Sequence, residues 1–469
     1  MKAHTKVVFA LLLFTLSFGT KSLHAIDQAP LMYTTQQELG ELVDIYDSRA
    51  RSILQGDGLL GPHYDDIRIT SPLARAPGYP IYLSALYSIF GRDHFKIQLL
   101  QNVLNSISPI LIFLIASRLV SYAVGVTTGF LAALSHHLST MSNWLLPDSL
   151  PSVFLLTAIY LFLSARRFRC YSTCWHILAG VMIGFSTCLR PITMLLGPFF
   201  VVMIALISIR RWQAVRSTIL LTLGSFLVIA PITLNNYFRY KEFVPINIHI
   251  GLLLWVGIAD ASGDRFGAVP GDLEVAQQEA ILYNNPDYAS DWSSPDGIQR
   301  DRDRVKKSLL IIIKHPIWYA GVMADRMGEM LKYSAHAPLV HKSSKETSDE
   351  PREIRGSWQS DKRNESSLIV GKTLSWMRIP ARALQRITKE VMLPYILLGG
   401  SIMLIISWRR SLLLLIIPIY HLLFQSFMHT EFRYGLPIHY FLFIFAAIMW
   451  VLTMALIGKC ITKTKKMLI

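Results

Sequence analysis

Runs of about 20 apolar residues, the length a helix needs to cross the hydrocarbon core of a bilayer, recur along the whole chain. They predict spans at about 7–25, 96–116, 121–139, 149–164, 175–190, 192–209, 217–234, 389–408, 411–427 and 435–458. The expected fold class is therefore an all-α polytopic membrane protein of about ten transmembrane helices, with interfacial helices in two long outer loops. Polar stretches between the spans divide the chain further. Residues 1–26 read as a signal-like N-terminal anchor, 27–95 as a first outer loop and 96–234 as the transmembrane core. Residues 235–388 read as a second outer loop, 389–458 as C-terminal transmembrane helices and 459–469 as a basic cytoplasmic tail.

The first loop predicts a helix over Thr35 to Gln55, whose apolar residues Leu39, Leu42, Val43 and Ile45 leave carboxylates on the other face. A Gly-rich turn, Gly56 to Gly61, leads to a helix from Pro80 to Gly91. In the second loop, Gly257 to Glu274 and Asn284 to Asp303 are rich in Gly, Asp, Ser and Pro and read as loop. Leu309 to Tyr333 reads as an interfacial helix, and Ser343 to Ser367 as a charged, mobile segment without an apolar period. Trp376 to Ile387, with Arg378, Arg382 and Arg386 four apart, reads as a second surface helix.

Charge fixes the expected orientation. Arg166 to Arg169, Arg210-Arg211, Arg409-Arg410 and Lys463 to Lys466 all fall between spans on one side, the pattern of cytoplasmic loops. The net charge of +15 has this origin, so no nucleic-acid partner is expected. Only 16% of residues are charged against 52% hydrophobic, which excludes a soluble domain of this size. At the N-terminus, Lys2 and Lys6, the apolar run Val7 to Phe18 and the small-residue site Leu23-His24-Ala25 fit a cleaved signal peptide. An uncleaved anchor reaching about Ala25, with Lys21 near the outer interface, is the favoured reading. Both put residue 27 onward outside. Cys170, Cys174, Cys188 and Cys460 form no CxxC and no ligand set with His, so neither a disulfide framework nor a zinc site is expected.

The order of short motifs carries more. Tyr46-Asp47-Ser48-Arg49-Ala50 and Gly56-Asp57 precede Arg75-Ala76-Pro77-Gly78-Tyr79-Pro80 and Phe90-Gly91. Leu146-Pro147-Asp148 heads a span, and Gly180 to Gly184 leads to Leu189-Arg190-Pro191. Asn236-Tyr237 follows the seventh span, His315-Pro316 lies in the second loop, and Glu431 to Pro437 precedes the last span. In this order the chain, from about residue 35 to 458, resembles the GT-C superfamily. That superfamily holds polyprenyl-phosphate-sugar glycosyltransferases such as protein mannosyltransferases and bacterial aminoarabinose transferases. The resemblance implies a multi-pass protein of the bacterial inner (plasma) membrane with its active site facing the periplasm. It would transfer a sugar from a polyprenyl-phosphate donor to a lipid, glycan or protein acceptor, among membrane lipids.

Such a transfer needs a carboxylate to take the acceptor hydroxyl's proton and cations to offset charge on the departing phosphate. Asp44 and Glu41 are the base candidates in the first loop; the resemblance places a second functional acid at Asp148. Arg75, Arg190 and Arg433 are candidates for gripping phosphate. Tyr79, Asn236, Tyr237 and His429 complete the expected binding set. No nucleotide motif or metal-ligand spacing appears, so no cofactor is required, although a divalent cation between Asp148 and another acid stays open. An oligosaccharide ligase of the same membrane class and a polytopic transporter or flippase are the alternatives. The transporter would need polar residues near the middle of several spans, whereas the acids here cluster at the outer ends.

Overall fold

The computed structural model describes residues 3–28, 37–58, 65–165, 172–207, 211–331 and 375–468. In chain order the α-helices are α1 (Ala3–Gln28), α2 (Gln37–Gln55), α3 (Gly78–Phe90), α4 (His94–Asn105), α5 (Ser108–Leu119) and α6 (Tyr122–Leu134). There follow α7 (His136–Asn143), α8 (Leu150–Ala165), α9 (Ser172–Leu189), α10 (Leu196–Ile207), α11 (Arg211–Tyr240) and α12 (Ile250–Ser262). The rest are α13 (Asp272–Leu282), α14 (Gly297–Lys314), α15 (Pro316–Leu331), α16 (Ser375–Ser426) and α17 (Leu436–Leu468). The protein is an all-α, multi-pass membrane protein.

Six described segments are long and apolar enough to cross a membrane: His4–Ile26, His94–Leu119, Ser172–Leu189, Val215–Tyr240, Met392–Ser426 and Arg433–Gly458. Shorter apolar helices at Tyr122–Leu134, Leu150–Ala165 and Pro191–Phe200 fall on three further expected spans. The expected pair 389–408 and 411–427 forms one helical element broken at Ser407, whose φ of −155° and ψ of 74° are not helical. At about 1.5 Å per residue, Met392–Ser426 would be far longer than the roughly 30 Å hydrocarbon core, so it cannot be one straight crossing. Exposed Arg409 and Arg410 beside the break need water or headgroups, not lipid tails. Val8, Leu11, Phe226, Leu227 and Ile405 are exposed on spans, as lipid-facing side chains are.

Glycine lets the tightest pair of spans meet. A Cβ on Gly180 would collide with the Leu221 carbonyl, and one on Gly224 with the Ile177 carbonyl; Gly184 faces Ser225 and Val228. Where lipid supplies no hydrophobic drive between helices, such small-residue contacts let backbones pack closely. The α9–α11 pair so formed carries Arg190 at the end of α9.

The outer segments differ from expectation in several places. The two stretches expected to be loop, Gly257 to Glu274 and Asn284 to Asp303, take in the end of α12, the first residues of α13 and the start of α14. An ionic and aromatic cluster lies beside an apolar one that includes Leu252, Trp255, Ile258, Val275 and Ile298. Buried Glu279 accepts from Arg300 at 2.7 Å and from Arg304 at 2.7 and 2.9 Å. The guanidinium carbons of Arg300 and Arg304 lie 4.2 Å from the Tyr288 ring and 5.7 Å from the Trp292 ring. The helix expected over Leu309 to Tyr333 is broken at His315, because the residue before Pro316 is disfavoured in the α region. The surface helix expected at Trp376 to Ile387 is the first part of α16. The segment expected to be mobile, Ser343 to Ser367, lies outside the described residues, as do Cys170 and the Arg166 to Arg169 stretch.

Asp47, expected to be solvated among the carboxylates of the first-loop helix, and Lys21, expected near the outer interface, are both buried. Asp47 is buried and accepts from Tyr87 Oη (2.9 Å), Arg92 Nε (3.1 Å) and Nη2 (2.9 Å), and Arg51 Nε (2.9 Å). This clamp fixes α2 to the junction of α3 and α4. Lys21 is fully buried and donates to Ser17 Oγ, with α1 packed on α6 and α7.

Candidate functional site

Segments between the spans, together with the span ends, form a cavity of about 210 Å³. Its construction starts at Gly78, where a Cβ would strike the Cys188 carbonyl. That close approach, with φ in the ordinary range, is what the position requires of glycine. It seats the turn ending in Arg75-Ala76-Pro77 against the end of α9, so that Arg75 and Arg190 both reach the cavity wall. Arg49 steadies the turn by donating to the carbonyls of Arg75 (3.0 Å) and Pro72. The loop after α11 packs on this turn and supplies more of the wall. Asn236 Nδ2 donates to the carbonyls of Val244 (3.0 Å) and Ile246 (3.1 Å), and Ile248 N bonds the Leu73 carbonyl at 2.9 Å.

Arg75, Asp148, Arg190 and Arg433 all line this space. Arg190 Nη1 donates to Asp148 Oδ1, joining the end of α9 to the link before α8. The Arg190 guanidinium carbon lies 4.1 Å from the Tyr434 ring centroid, a cation–π contact worth about 0.5–2 kcal/mol. Arg433 Nη2 donates to Glu431 Oε1 at 2.6 Å, and Tyr434 Oη donates to the same oxygen at 3.0 Å. Burial raises the Glu431 carboxyl, but the charge and hydrogen bonds of Arg433 and Tyr434 outweigh it and hold the pKa below the usual value. Across the cavity, Arg75 Nη1 lies 3.0 Å from His249 Nε2, and Nη2 lies 3.5 Å from Asp272 Oδ2. Arg75 is a donor only, so His249 Nε2 is the acceptor and its proton sits on Nδ1. Burial first, then the Arg75 charge, holds His249 well below its ordinary pKa, so the ring is neutral.

The remaining expected residues lie elsewhere. The α2 wall is Leu42 and Tyr46, and Asp44 is exposed, about 200° around the helix from Leu42. The Glu41 side chain is outside the described residues. Tyr79 is fully buried behind Tyr46, with ring centroids 5.4 Å apart and its hydroxyl donating to Gln101 Oε1 at 3.0 Å. Asn236 shapes the wall from behind, and Tyr237 is exposed on α11. His429 sits at the rim, with Nδ1 2.6 Å from Asp260 Oδ2 and Nε2 3.9 Å from Glu431 Oε1. Its turn is held by Tyr319 Oη, which donates to the Phe427 carbonyl at 2.7 Å, and by Arg326, which donates to the Ser426 carbonyl at 3.1 Å. Among the described residues, no group of three or more His, Cys, Asp or Glu side chains is arranged to hold a metal ion.

Tyr434 and His249 are among the wall residues that were not singled out from the sequence. Tyr434 lay inside the Glu431 to Pro437 motif and could have been picked out there. His249 has no local signal; only the fold brings it to Arg75, 174 residues away.

Residues 74–234 match the family model described as dolichyl-phosphate-mannose-protein mannosyltransferase, a window containing Arg75, Asp148 and Arg190. Among solved structures, the chain is similar to the apo crystal structure of the Archaeoglobus fulgidus oligosaccharyltransferase. The TM-score is 0.53 at 13% identity, with 99% of this chain and 52% of that one covered. The chain thus spans about half the length of that protein. The apo crystal structure of ArnT from Cupriavidus metallidurans gives a TM-score of 0.37 at 13% identity, covering 96% of this chain and 78% of that one. No curated protein matches the sequence.

Proposed function

Because this chain has the membrane fold of the GT-C glycosyltransferases, we propose that it transfers a sugar from a polyprenyl-phosphate donor to an acceptor hydroxyl within this cavity. The observation that carries the reading is that Arg75, Arg190 and Arg433 line one cavity together with Asp148. Three guanidiniums suit a phosphate that gains charge as it leaves. Apolar wall residues such as Leu146, Ile192 and Met428 suit the prenyl end of the donor. The acceptor is a hydroxyl of a lipid, glycan or protein, met on the periplasmic face of the inner membrane.

In this mechanism the donor phosphate engages Arg190 and draws it from Asp148. The freed carboxylate takes the proton of the acceptor hydroxyl as its oxygen bonds to the anomeric carbon. The bond from that carbon to the phosphate oxygen breaks, and its electron pair stays on the phosphate beside Arg75 and Arg433. One displacement of this kind inverts the anomeric centre. Glu41 and Asp44 remain the first-loop alternatives for the base.

The test is glycosyl transfer by purified protein in lipid, using labelled polyprenyl-phosphate sugars and comparing wild type with Asp148→Asn, Glu41→Gln and Asp44→Asn. Loss in a correctly folded Asp148→Asn supports the assignment. Unchanged transfer in that variant removes Asp148 as base, and no transfer by wild type from any donor removes the enzyme reading.

A further inference from the structure

We propose that Gln101 is a positioning residue for this site: one buried carboxamide ties the link that presents Asp148 to the turn that presents Arg75. This deepens the glycosyl-transfer reading, and its kinetic consequence rests on that reading.

The need for such a tie begins in the backbone. Helix α7 ends at Asn143 and Trp144 is extended (φ −74°, ψ 127°), so the last carbonyls of the helix have no partner along the chain. Residues 141–150 are all buried, so bulk water does not serve them. Their partners come from α4. Gln98, Gln101, Asn102 and Asn105 stand at i, i+3, i+4 and i+7, on one face of that helix, and all four are buried. Gln98 Nε2 donates to the Asn143 carbonyl at 2.8 Å, and Gln101 Nε2 to the carbonyls of Ser142 (3.0 Å) and Trp144 (2.8 Å). Asn102 Nδ2 donates to Asn143 Oδ1 at 2.7 Å. Asn105 Nδ2 donates at 2.9 Å to Ser149 Oγ, one residue past Asp148. Carboxamides on an apolar span are costly unless bonded, and these meet the carbonyls and side chains of the link.

Gln101 also reaches the other side of the site. Its N–H groups face carbonyls, which only accept, so the carboxamide has one orientation and its oxygen must face a donor. That donor is Tyr79 Oη, at 3.0 Å. Tyr79 follows Gly78, whose approach to the Cys188 carbonyl seats the Arg75 turn. Arg190 is set against Asp148 by a direct bond. Gln101 supplies the corresponding tie for Arg75, through Tyr79 on one side and the Trp144 carbonyl on the other. In the transfer step the base and the cations at the departing phosphate must be in place together, and a misplacement of about 1 Å can cost on the order of 10²-fold. Arg190 and Arg433 still hold the phosphate when the tie is lost, so the loss falls on kcat more than on donor KM.

The experiment uses the full-length protein in lipid nanodiscs and compares wild type with Gln101→Met, Gln98→Met, Tyr79→Phe and the Tyr79→Phe/Gln101→Met double variant. Transfer is measured with labelled polyprenyl-phosphate sugars, and hydrogen exchange is followed by mass spectrometry without donor. Gln101→Met should lower kcat about tenfold to a hundredfold with a smaller change in KM, and speed exchange in both 71–79 and 143–149. Gln98→Met gives up a bond to the same link, so it should speed exchange in 143–149 alone and lower kcat less. Tyr79→Phe keeps the ring and removes the hydroxyl. It should lower kcat and speed exchange in 143–149, and add nothing to Gln101→Met in the double variant. Equal kcat losses in Gln98→Met and Gln101→Met overturn the proposal, as do additive effects in the double variant or exchange confined to one segment in Gln101→Met. If Gln101→Met does not fold, Tyr79→Phe decides, and unchanged exchange in 143–149 overturns the tie. If wild type transfers sugar from no donor, the enzyme reading fails separately. The exchange data then decide the tie: loosening of both segments in Gln101→Met upholds it, and loosening of one overturns it.

Discussion

Arg190, at the end of α9, hydrogen-bonds Asp148, at the head of α8, and the carboxylate is almost completely buried while the guanidinium reaches the cavity. Two span ends are thereby joined on the wall of the cavity to which the proposed function assigns donor and acceptor. Asp148→Asn keeps the shape and removes the charge. The expected outcome is a loss of transfer by about 10²–10⁴-fold, the usual contribution of a general base. Leaving Arg190 without its carboxylate should also cost about 1–3 kcal/mol of stability. Single-turnover transfer and thermal unfolding in detergent separate the two effects.

Gly78 tests whether the approach of two backbones sets the site. Alanine there must push the Arg75 turn away from the Cys188 carbonyl. Overpacking of this kind typically costs about 1–3 kcal/mol, and transfer should fall with it. Gly321, in α15, has open space where its Cβ would be, so Gly321→Ala should be neutral or stabilising. Equal behaviour of the two alanine variants in thermal unfolding and transfer would remove the packing argument.

Asp47 is expected to matter for stability rather than chemistry. It holds two arginines and a tyrosine on the side of α2 away from Leu42 and Tyr46. Breaking a buried pair by removing one partner costs about 3–5 kcal/mol, so Asp47→Ala should lower the unfolding temperature sharply. Limited proteolysis should then cut first in the segment around α2.

Much of this was legible in the chain because local pattern dictates it. Spans follow from apolar length, Asp148, Arg190 and Arg433 stand out as charges at span ends, where lipid tolerates few, and Arg75 is marked by the Pro-Gly-Tyr-Pro turn behind it. The second outer loop was misread because Glu279, Arg300 and Arg304 look solvated in sequence and become core only when brought together. Asp47 was misread for the same reason, since two of its partners, Tyr87 and Arg92, lie 40 and 45 residues away. Choosing Asp44 rather than a neighbour depended on the rotation of α2, which apolar periodicity fixed only loosely.

His249 gives a pH signature. Its folded-state pKa is depressed by burial and by Arg75, while in the unfolded chain it titrates near the ordinary value of about 6.5. Above that pH neither state binds the proton, and the histidine's contribution is fully present. Below it the unfolded chain takes up a proton that the folded ring refuses, so stability is lost as pH falls. His249→Gln keeps a side-chain acceptor for Arg75 and removes this titration. Its unfolding temperature should fall less than that of wild type between pH 7.5 and 5.5; an equal or larger fall would contradict the neutral assignment.

Asn236 separates shaping the wall from touching the substrate. Its carboxamide nitrogen donates to two backbone carbonyls, and those carbonyls belong to the loop carrying Ile246 and Asn247 onto the wall. Asn236→Ala removes both bonds and should cost about 1–3 kcal/mol, with KM for the donor rising more than kcat falls. Aspartate is the sharper probe. It is nearly the same size but, when ionised, only accepts, so it would turn a negative oxygen toward carbonyls that need a donor. Asn236→Asp should therefore unfold at a lower temperature than Asn236→Ala, despite being the closer isostere. A substrate-contacting role instead predicts little change in stability for either variant, because each would then disturb binding while leaving the loop in place.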